Sequence, residues 1–164
     1  MQNNEPNLFQ NFLKIIDTLN KFNVDYIVIG GVAMISHGLP RLTRDLDVIL
    51  SMTESNLINL RKALNSIYDD PSIEEITLKE LNKYSVLRYG TPDNFYLDLM
   101  ARIGESADYK SLDIESKKIE GIAIKLATVE SMLKLKHNTM RPEDKRDAVF
   151  LMKLIEFKEK NADL

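Results

Sequence analysis

The stretch Tyr26–Leu50, YIVIGGVAMISHGLPRLTRDLDVIL, decides the fold. It begins with Tyr26–Ile29, an apolar and mostly β-branched run that is typical of a buried strand. The Gly30–Gly31 pair ends this run, and residues 32–36 form a short helix before Gly38 and Pro40 break the pattern. In residues 45–50, apolar and acidic side chains alternate, which predicts a second strand with one face in the core.

Two carboxylates lie on the outer face of that second strand. Asp45 and Asp47 are two residues apart, so their side chains project in the same direction, close enough to bind one cation or to bridge two. Solvent-facing aspartates on an edge strand would give the same pattern, and that interpretation stays open. The Gly30–Gly31 pair also has two interpretations: a tight packing turn, or a place where phosphates approach backbone N–H groups at a helix start.

The remaining periodicity predicts an α/β (α+β) domain with a central mixed sheet covered by helices. We predict strands near 26–30, 45–50, 84–89, 95–100 and 117–125, and helices over 8–22, 53–68, 128–138 and 142–159. We read residues 73–100 as two or three strands and 102–116 as a polar connection. We expect one domain over residues 1–164, with a sheet-containing core over 1–125 and a C-terminal helical pair over 126–164. The candidate site should lie on the exposed polar face of the sheet.

Asp98 is the third acidic candidate. It lies in the predicted strand 95–100, which follows the turn signal Gly90-Thr91-Pro92-Asp93-Asn94. It shares a face with Tyr96 and Met100, so it should point out of the sheet as Asp45 and Asp47 do. An ordinary surface carboxylate is the alternative.

Charged residues continue the apolar faces of the last two predicted helices. The stripe Val129, Met132 and Leu133 leads to Lys136, and the stripe Ala148, Leu151, Met152 and Ile155, extended backwards, leads to Asp144 and Asp147. A charge at a buried position needs a partner or a cleft. In one interpretation Lys136 and Arg141 reach a bound anion while the aspartates orient them. In the other these residues form an ion-pair clasp between the helices, and the two interpretations are compatible.

Composition excludes several classes of function. The 164 residues contain no cysteine and two histidines, and the formal net charge is −3. Disulfides and thiolate zinc sites are therefore excluded, and the surface lacks the basic footprint of a dedicated duplex-DNA binder. No apolar run approaches the roughly 18 residues that span a bilayer, and no signal peptide precedes the first helix. We expect a cytoplasmic protein without membrane contact.

The arrangement Gly30-Gly31, Arg41-x-Thr43-x-Asp45-x-Asp47 and a later Asp98 resembles the nucleotidyltransferase fold of the DNA polymerase β superfamily. Within it the chain is similar to the small nucleotidyltransferase toxins of abortive-infection and related toxin–antitoxin pairs. The resemblance extends to the C-terminal third, where Lys136, Arg141, Asp144 and Asp147 match a helical segment of those proteins. Gly31 stands where many members of the superfamily have serine.

The resemblance implies a metal-dependent transfer of a nucleoside monophosphate from a nucleoside triphosphate to a hydroxyl group. Asp45, Asp47 and Asp98 would be the catalytic residues and the ligands of Mg²⁺ or Mn²⁺. Carboxylate oxygens are the ligands that such hard cations prefer. The nucleotide would contact Gly30, Gly31, Arg41, Thr43, Lys136, Arg141 and Asp144. The acceptor is open between a protein, an RNA and a small molecule, and an antitoxin partner is expected if the toxin resemblance holds.

Three alternatives remain at this stage. For Arg41, a salt bridge to an aspartate competes with a phosphate contact. For the whole chain, a nucleotide-sensing module with weak or no transfer activity competes with an enzyme. A metal-dependent phosphohydrolase is disfavoured because His37 and His137 are the only histidines, too few for the usual mixed-ligand dinuclear sites. His37 is interpreted as a structural or cleft-lining residue.

Overall fold

The computed structural model describes residues 7–105, 107–136 and 142–162. It contains a six-stranded mixed sheet flanked by helices, which confirms the predicted fold class. The helices are α1 (Leu8–Lys21), α2 (Gly30–Ser36), α3 (Glu54–Ile67), α4 (Leu78–Lys83), α5 (Val129–Lys136) and α6 (Pro142–Ala162), with a 3₁₀ turn at Pro71–Glu75. The strands are β1 (Tyr26–Ile29), β2 (Asp45–Leu50), β3 (Leu87–Gly90), β4 (Tyr96–Met100), β5 (Arg102–Ile103), β6 (Ala107–Asp108), β7 (Ile114–Ile119) and β8 (Ile122–Ala127).

The order of strands in the main sheet is β3-β4-β2-β1-β8-β7, and β5 and β6 pair separately. Strand β2 is antiparallel to β1 but parallel to β4, and β1 is parallel to β8. All four residues of β1 are buried, which explains why this strand is uniformly apolar rather than alternating. The two central strands, β1 and β2, are the ones that the Tyr26–Leu50 stretch contributes.

The amphipathic helix α1 closes the core of the sheet. Asn7 caps it by accepting a hydrogen bond from the Phe9 backbone N–H at 3.1 Å. Phe12, fully buried, meets Phe95 edge-to-face with 5.1 Å between the ring centroids. This contact fixes the chain just before β4, and β4 carries Asp98.

Buried Asn56 ties the far end of β1 and β2 together. Its side-chain amide accepts from the Asp25 N–H at 2.8 Å and donates to the carbonyls of Asp25 and Ser51 at 2.9 and 2.8 Å. One side chain thus bonds three backbone groups at the strand ends, where the Asp25 carbonyl also accepts from the Ser51 N–H at 3.2 Å. The β1–β2 pair is therefore held rigidly at the end opposite to its aspartates.

The structure corrects several predicted elements. Residues 117–125 are not one strand: β7 and β8 form a hairpin whose turn residues, Glu120 and Gly121, have φ of 50° and 79°. Residues 73–83, the beginning of the stretch read as two or three strands, contain instead the end of the 3₁₀ turn and α4, and Asp70 and Thr77 cap these helical segments. Part of the region read as a polar connection forms β5 and β6. Met152, expected on the inward face of α6, is 51% exposed.

The outer limits of the domain are not tested by these elements, and the assignment of residues 1–164 to one domain stays a prediction. Among the described residues, no helix combines the length and the apolar character needed to cross a bilayer.

Candidate active site

Strand register brings the three candidate carboxylates to one face of the sheet. In the parallel pair of β2 and β4, Asp47 is the register partner of Asp98 and Asp45 is the partner of Tyr96. Side chains in register on neighbouring strands point to the same side. Asp45 and Asp47 are half-buried, whereas Asp98 is only 6% exposed. The expectation that Asp98 faces outward is corrected in this respect, because neighbouring side chains cover it.

Arg88 of β3 is the main cover of Asp98. The antiparallel register of β3 and β4 places these two residues opposite each other. The guanidinium donates from Nε to Asp98 Oδ1 at 2.8 Å and from Nη2 to Oδ2 at 2.9 Å, a bidentate arrangement. Its Nη2 also lies 3.5 Å from Asp45 Oδ2, and its Cζ lies 4.4 Å from the centroid of the Tyr96 ring. Arg88 therefore joins two of the three carboxylates.

Gly30 is required by the position of Asp47. Its φ of +67° favours glycine, and a Cβ atom there would collide with Asp47 Oδ2. Gly31 is also close-packed, because a Cβ atom would lie 2.8 Å from Thr43 Oγ1. The same hydroxyl donates to the Asp45 carbonyl at 3.1 Å. The glycine pair thus fits against the residues that carry and precede the aspartates, so the packing interpretation holds, whatever else the pair does.

Burial and neighbouring negative charge act together on Asp47. Burial is the largest cause that raises the pKa of Asp47, to about 7, and the negative charge of adjacent Asp98 and then of Asp45 adds to it. The positive charge of Lys136 acts in the opposite direction. Burial and the two neighbouring acids therefore oppose the ionisation of Asp47 more strongly than Lys136 favours it.

A second cluster of charges forms the opposite wall of the site. Lys136 of α5 donates to Asp144 Oδ1 at 2.7 Å and lies 3.1 Å from Asp147 Oδ2, both on α6. Arg41, in the loop before β2, donates to the same oxygen of Asp147 at 2.7 Å. Asp144 and Asp147 are 1% and 3% exposed. We call these four residues the clasp: its ion pairs join the two helices, and Arg41 pairs with Asp147 rather than with Asp45 or Asp47.

A cavity of about 500 Å³ separates the sheet face from the clasp. Every candidate site residue within the described ranges lines it: Gly30, Gly31, Arg41, Thr43, Asp45, Asp47, Asp98, Lys136 and Asp144. Arg141 lies outside the described residues. A smaller hollow of about 380 Å³ lies at the other end of β2, but Asp108 is the only acid among its described lining residues. The larger cavity is therefore the candidate active site.

The donor chemistry of this cavity fits a hard divalent cation. Three carboxylates offer only oxygen atoms, and the raised pKa of Asp47 reflects its burial next to two other acids. As the side chains stand, no three acidic, imidazole or thiol groups of the described ranges converge in a metal-binding arrangement. The reason is visible at Asp98, since both of its oxygens are directed at Arg88.

Sequence reasoning predicted that the three acids share a face of the sheet, as the register shows, but it missed Arg88. The signal was present in the turn between β3 and β4: with Thr91–Phe95 as the connection, Gly90 pairs with Tyr96, so Arg88 must pair with Asp98.

His37 was interpreted as a structural or cleft-lining residue, and the structure shows it buried against the backbone. Its Nε2 lies 2.9 Å from the Ala127 carbonyl, and burial holds the pKa of the ring below its usual value.

The chain has a nucleotidyltransferase-like fold, as three solved structures show. An antigenic nucleotidyltransferase-like protein from Paracoccidioides brasiliensis aligns with a TM-score of 0.59 at 18% identity, over 90% of this chain and 76% of its own. A candidate nucleotidyltransferase from Thermotoga maritima gives 0.51 at 14%, over 94% and 90%. Another, from H. pylori, gives 0.52 at 20%, over 93% and 70%. The sequence matches no protein-family model and no curated protein.

The contact between Gly30 and Asp47 predicts an unequal effect of two glycine substitutions. Gly30→Ala should lower the free energy of unfolding by roughly 3 kcal/mol, because it adds a collision to the cost of a left-handed backbone. Gly38→Ala is the matched control: Gly38 has φ +106° but no atom within 4 Å of a new Cβ. It should cost about 1 kcal/mol. Urea unfolding measures both, and equal losses would contradict the contact.

Asp47 also predicts the pH dependence of stability in metal-free buffer. Its pKa is raised to about 7 in the folded protein, so the proton stabilises the fold at low pH and this contribution is lost as pH rises from about 4 through 7. The free energy of unfolding of Asp47→Asn minus that of the wild type should therefore be larger at pH 8 than at pH 5, by on the order of 1–3 kcal/mol. Urea unfolding with a chelator present measures the difference. A difference that is the same at both pH values would refute the crowding of the carboxylates.

Proposed function

We propose that this protein is a metal-dependent nucleotidyltransferase that moves a nucleoside monophosphate from a nucleoside triphosphate to a hydroxyl acceptor. The observation that carries the proposal is the convergence of Asp45, Asp47 and Asp98 on one sheet face, beside a glycine pair and a cavity of about 500 Å³. The fold likeness to nucleotidyltransferase-like proteins supports it. A binding protein has no need of three acids that repel each other around an anionic ligand.

Asp45, Asp47 and Asp98 would hold Mg²⁺ or Mn²⁺. The bound cation supplies neutralisation of the charge that develops on the attacking and leaving oxygens. Gly30 and Gly31 line the same cavity as these residues, and their backbone would face the phosphates there. Thr43, whose hydroxyl reaches the Asp45 carbonyl, would contribute a polar contact at the same edge.

Asp98 is proposed to receive or orient the acceptor. In the transfer step the acceptor oxygen forms a bond to the α-phosphorus, and the bond from that phosphorus to the bridging oxygen of the β-phosphate breaks. The electron pair leaves with pyrophosphate, and the acceptor hydroxyl gives its proton to a carboxylate, for which Asp98 is our candidate. This role requires that Asp98 is freed from Arg88 when substrates are bound.

The clasp is proposed to form the wall that faces the triphosphate. Lys136 and Arg41 present positive charge to the cavity while Asp144 and Asp147 hold them in place. The proposed contact of Lys136 and Arg41 with nucleotide rests on this position in the wall. For Arg141, outside the described residues, a nucleotide contact stays a prediction from the sequence.

The biological setting that we propose is the cytoplasm, where nucleoside triphosphates and Mg²⁺ are available. The similarity in sequence motifs to abortive-infection toxins leads us to propose a toxin role, with a protein or RNA acceptor and an antitoxin partner. A small-molecule acceptor remains the alternative within the same chemistry.

The alternative function is a nucleotide sensor with weak or no transfer activity. The specific observation in its favour is that Arg88 holds Asp98 by two hydrogen bonds. If this ion pair persisted with nucleotide bound, Asp98 could accept no proton from an acceptor. A sensor without metal chemistry would bind nucleotides equally well with and without Mg²⁺.

Calorimetry and label transfer test the proposal together. We expect nucleotide binding that requires Mg²⁺, and transfer from an α-labelled triphosphate to a component of cell extract with release of pyrophosphate. Each of the four ribonucleoside triphosphates is tried as donor. Asp45→Asn and Asp47→Asn should each reduce transfer by about a hundredfold or more, because they remove charge that the metal needs.

Asp17→Asn is the control for these variants. Asp17 lies on α1, is not among the residues that line the cavity, and forms an ion pair with Lys21 in which Oδ2 and Nζ are 2.9 Å apart. This variant should transfer as the wild type does. Nucleotide binding that is independent of Mg²⁺ and unchanged in the Asp45 and Asp47 variants would contradict the proposal and favour the sensor. Release of inorganic phosphate instead of pyrophosphate would indicate hydrolysis.

A further inference from the structure

The position of Arg88 has a consequence for how the site takes up a cation. Its guanidinium bonds both oxygens of Asp98 and lies within 3.5 Å of Asp45, so its positive charge stands among the acids that were expected to hold a metal. The side chain comes from the edge strand β3 and remains 51% exposed. It is therefore free to swing outward without disturbing the core.

Several contacts hold this placement, which distinguishes it from an incidental surface pair. The two hydrogen bonds to Asp98 are short and bidentate, and Asp98 itself is 6% exposed. The guanidinium also lies over the Tyr96 ring, 4.4 Å from its centroid. The β3–β4 register fixes where the side chain begins. A partly exposed lysine at this position could supply the charge but not the bidentate pair of hydrogen bonds.

We infer that Arg88 is a built-in counter-ion: it neutralises Asp98 and Asp45 in the metal-free protein and must withdraw before a divalent cation can engage all three carboxylates. The inference rests on the proposed metal-dependent function. It explains why the carboxylates share a face and a register yet do not form a metal-binding arrangement among the described residues. Arg88 and the cation compete for the same oxygens.

The competition has an energetic consequence. Arg88 stabilises the metal-free protein and, by the same contacts, lowers the affinity for metal, because each ligand shifts an equilibrium by its differential affinity for the two states. A withdrawn guanidinium at the mouth of the cavity needs a new anion, and a triphosphate would provide one. Metal and nucleotide should therefore each favour the binding of the other.

The direct test is the affinity of the metal-free protein for Mn²⁺ without nucleotide, measured by electron paramagnetic resonance of the free ion. We compare the wild type with Arg88→Gln and with Arg44→Gln. Arg44 is the matched control because it is exposed and adjacent to Asp45 in the chain, and among the described residues its side chain forms no ion pair. Arg44→Gln removes one positive charge near Asp45, as Arg88→Gln does, but breaks no hydrogen bond to a carboxylate of the site.

We expect Arg88→Gln to bind Mn²⁺ about tenfold more tightly than the wild type, since a charge-assisted bidentate contact no longer competes. Arg44→Gln should change the affinity by no more than about twofold, as an exposed charge does. Without metal, Arg88→Gln should melt at a lower temperature than the wild type, and Mn²⁺ should restore more of its stability.

Each other outcome is decisive. If Arg88→Gln binds Mn²⁺ no more tightly than Arg44→Gln does, the counter-ion inference is wrong while the proposed metal site stands. If none of the proteins binds Mn²⁺, the metal site and the proposed function fail as well. Should circular dichroism show that Arg88→Gln does not fold, Arg88→Lys takes its place: it keeps the charge, loses the bidentate pair of hydrogen bonds, and should bind Mn²⁺ with an affinity above that of the wild type.

Discussion

Mutual repulsion among carboxylates on one face of a β-sheet is the constraint on which the site depends. Asp47 and Asp98 are register partners on parallel strands, and Asp45 lies on the same face two residues from Asp47. Burial, and after it the charges of Asp98 and Asp45, raise the pKa of Asp47 to about 7. Such an arrangement is costly unless positive charge is supplied nearby. The protein supplies part of it through Arg88, and the remainder is the basis for inferring a metal site.

The rest of the fold keeps these acids in place despite that repulsion. The neighbouring strand β1 is wholly buried, and Asn56 closes the far end of the β1–β2 pair. Beside them, Gly30 has a left-handed backbone and leaves free the space that the Asp47 carboxylate occupies and that a Cβ atom would invade. Opposite them, the clasp fixes α5 and α6 across the cavity through nearly buried ion pairs. Rigid backbone on three sides is what a preorganised site requires.

Local patterns in the sequence predicted the parts of this site that lie within single elements. The period-two alternation of residues 45–50, the Gly30–Gly31 turn and the strand with Asp98 are all such features, and the mixed sheet is confirmed. The partners of Arg88 and of Lys136 depend instead on strand register and on helix packing between distant segments, which periodicity does not encode. The β7–β8 hairpin was missed because Glu120 is an unusual residue for the left-handed conformation that its turn needs.

Diffraction from crystals grown with Mn²⁺ and a non-hydrolysable nucleoside triphosphate tests the central claim most directly, because anomalous scattering locates the ion independently of any activity. The account predicts an anomalous peak bonded to oxygens of Asp45, Asp47 and Asp98, with the Arg88 guanidinium withdrawn from Asp98. The account would be contradicted by a nucleotide-bound structure in which Arg88 still donates both hydrogen bonds to Asp98 and the anomalous peak lies elsewhere or is absent at saturating Mn²⁺.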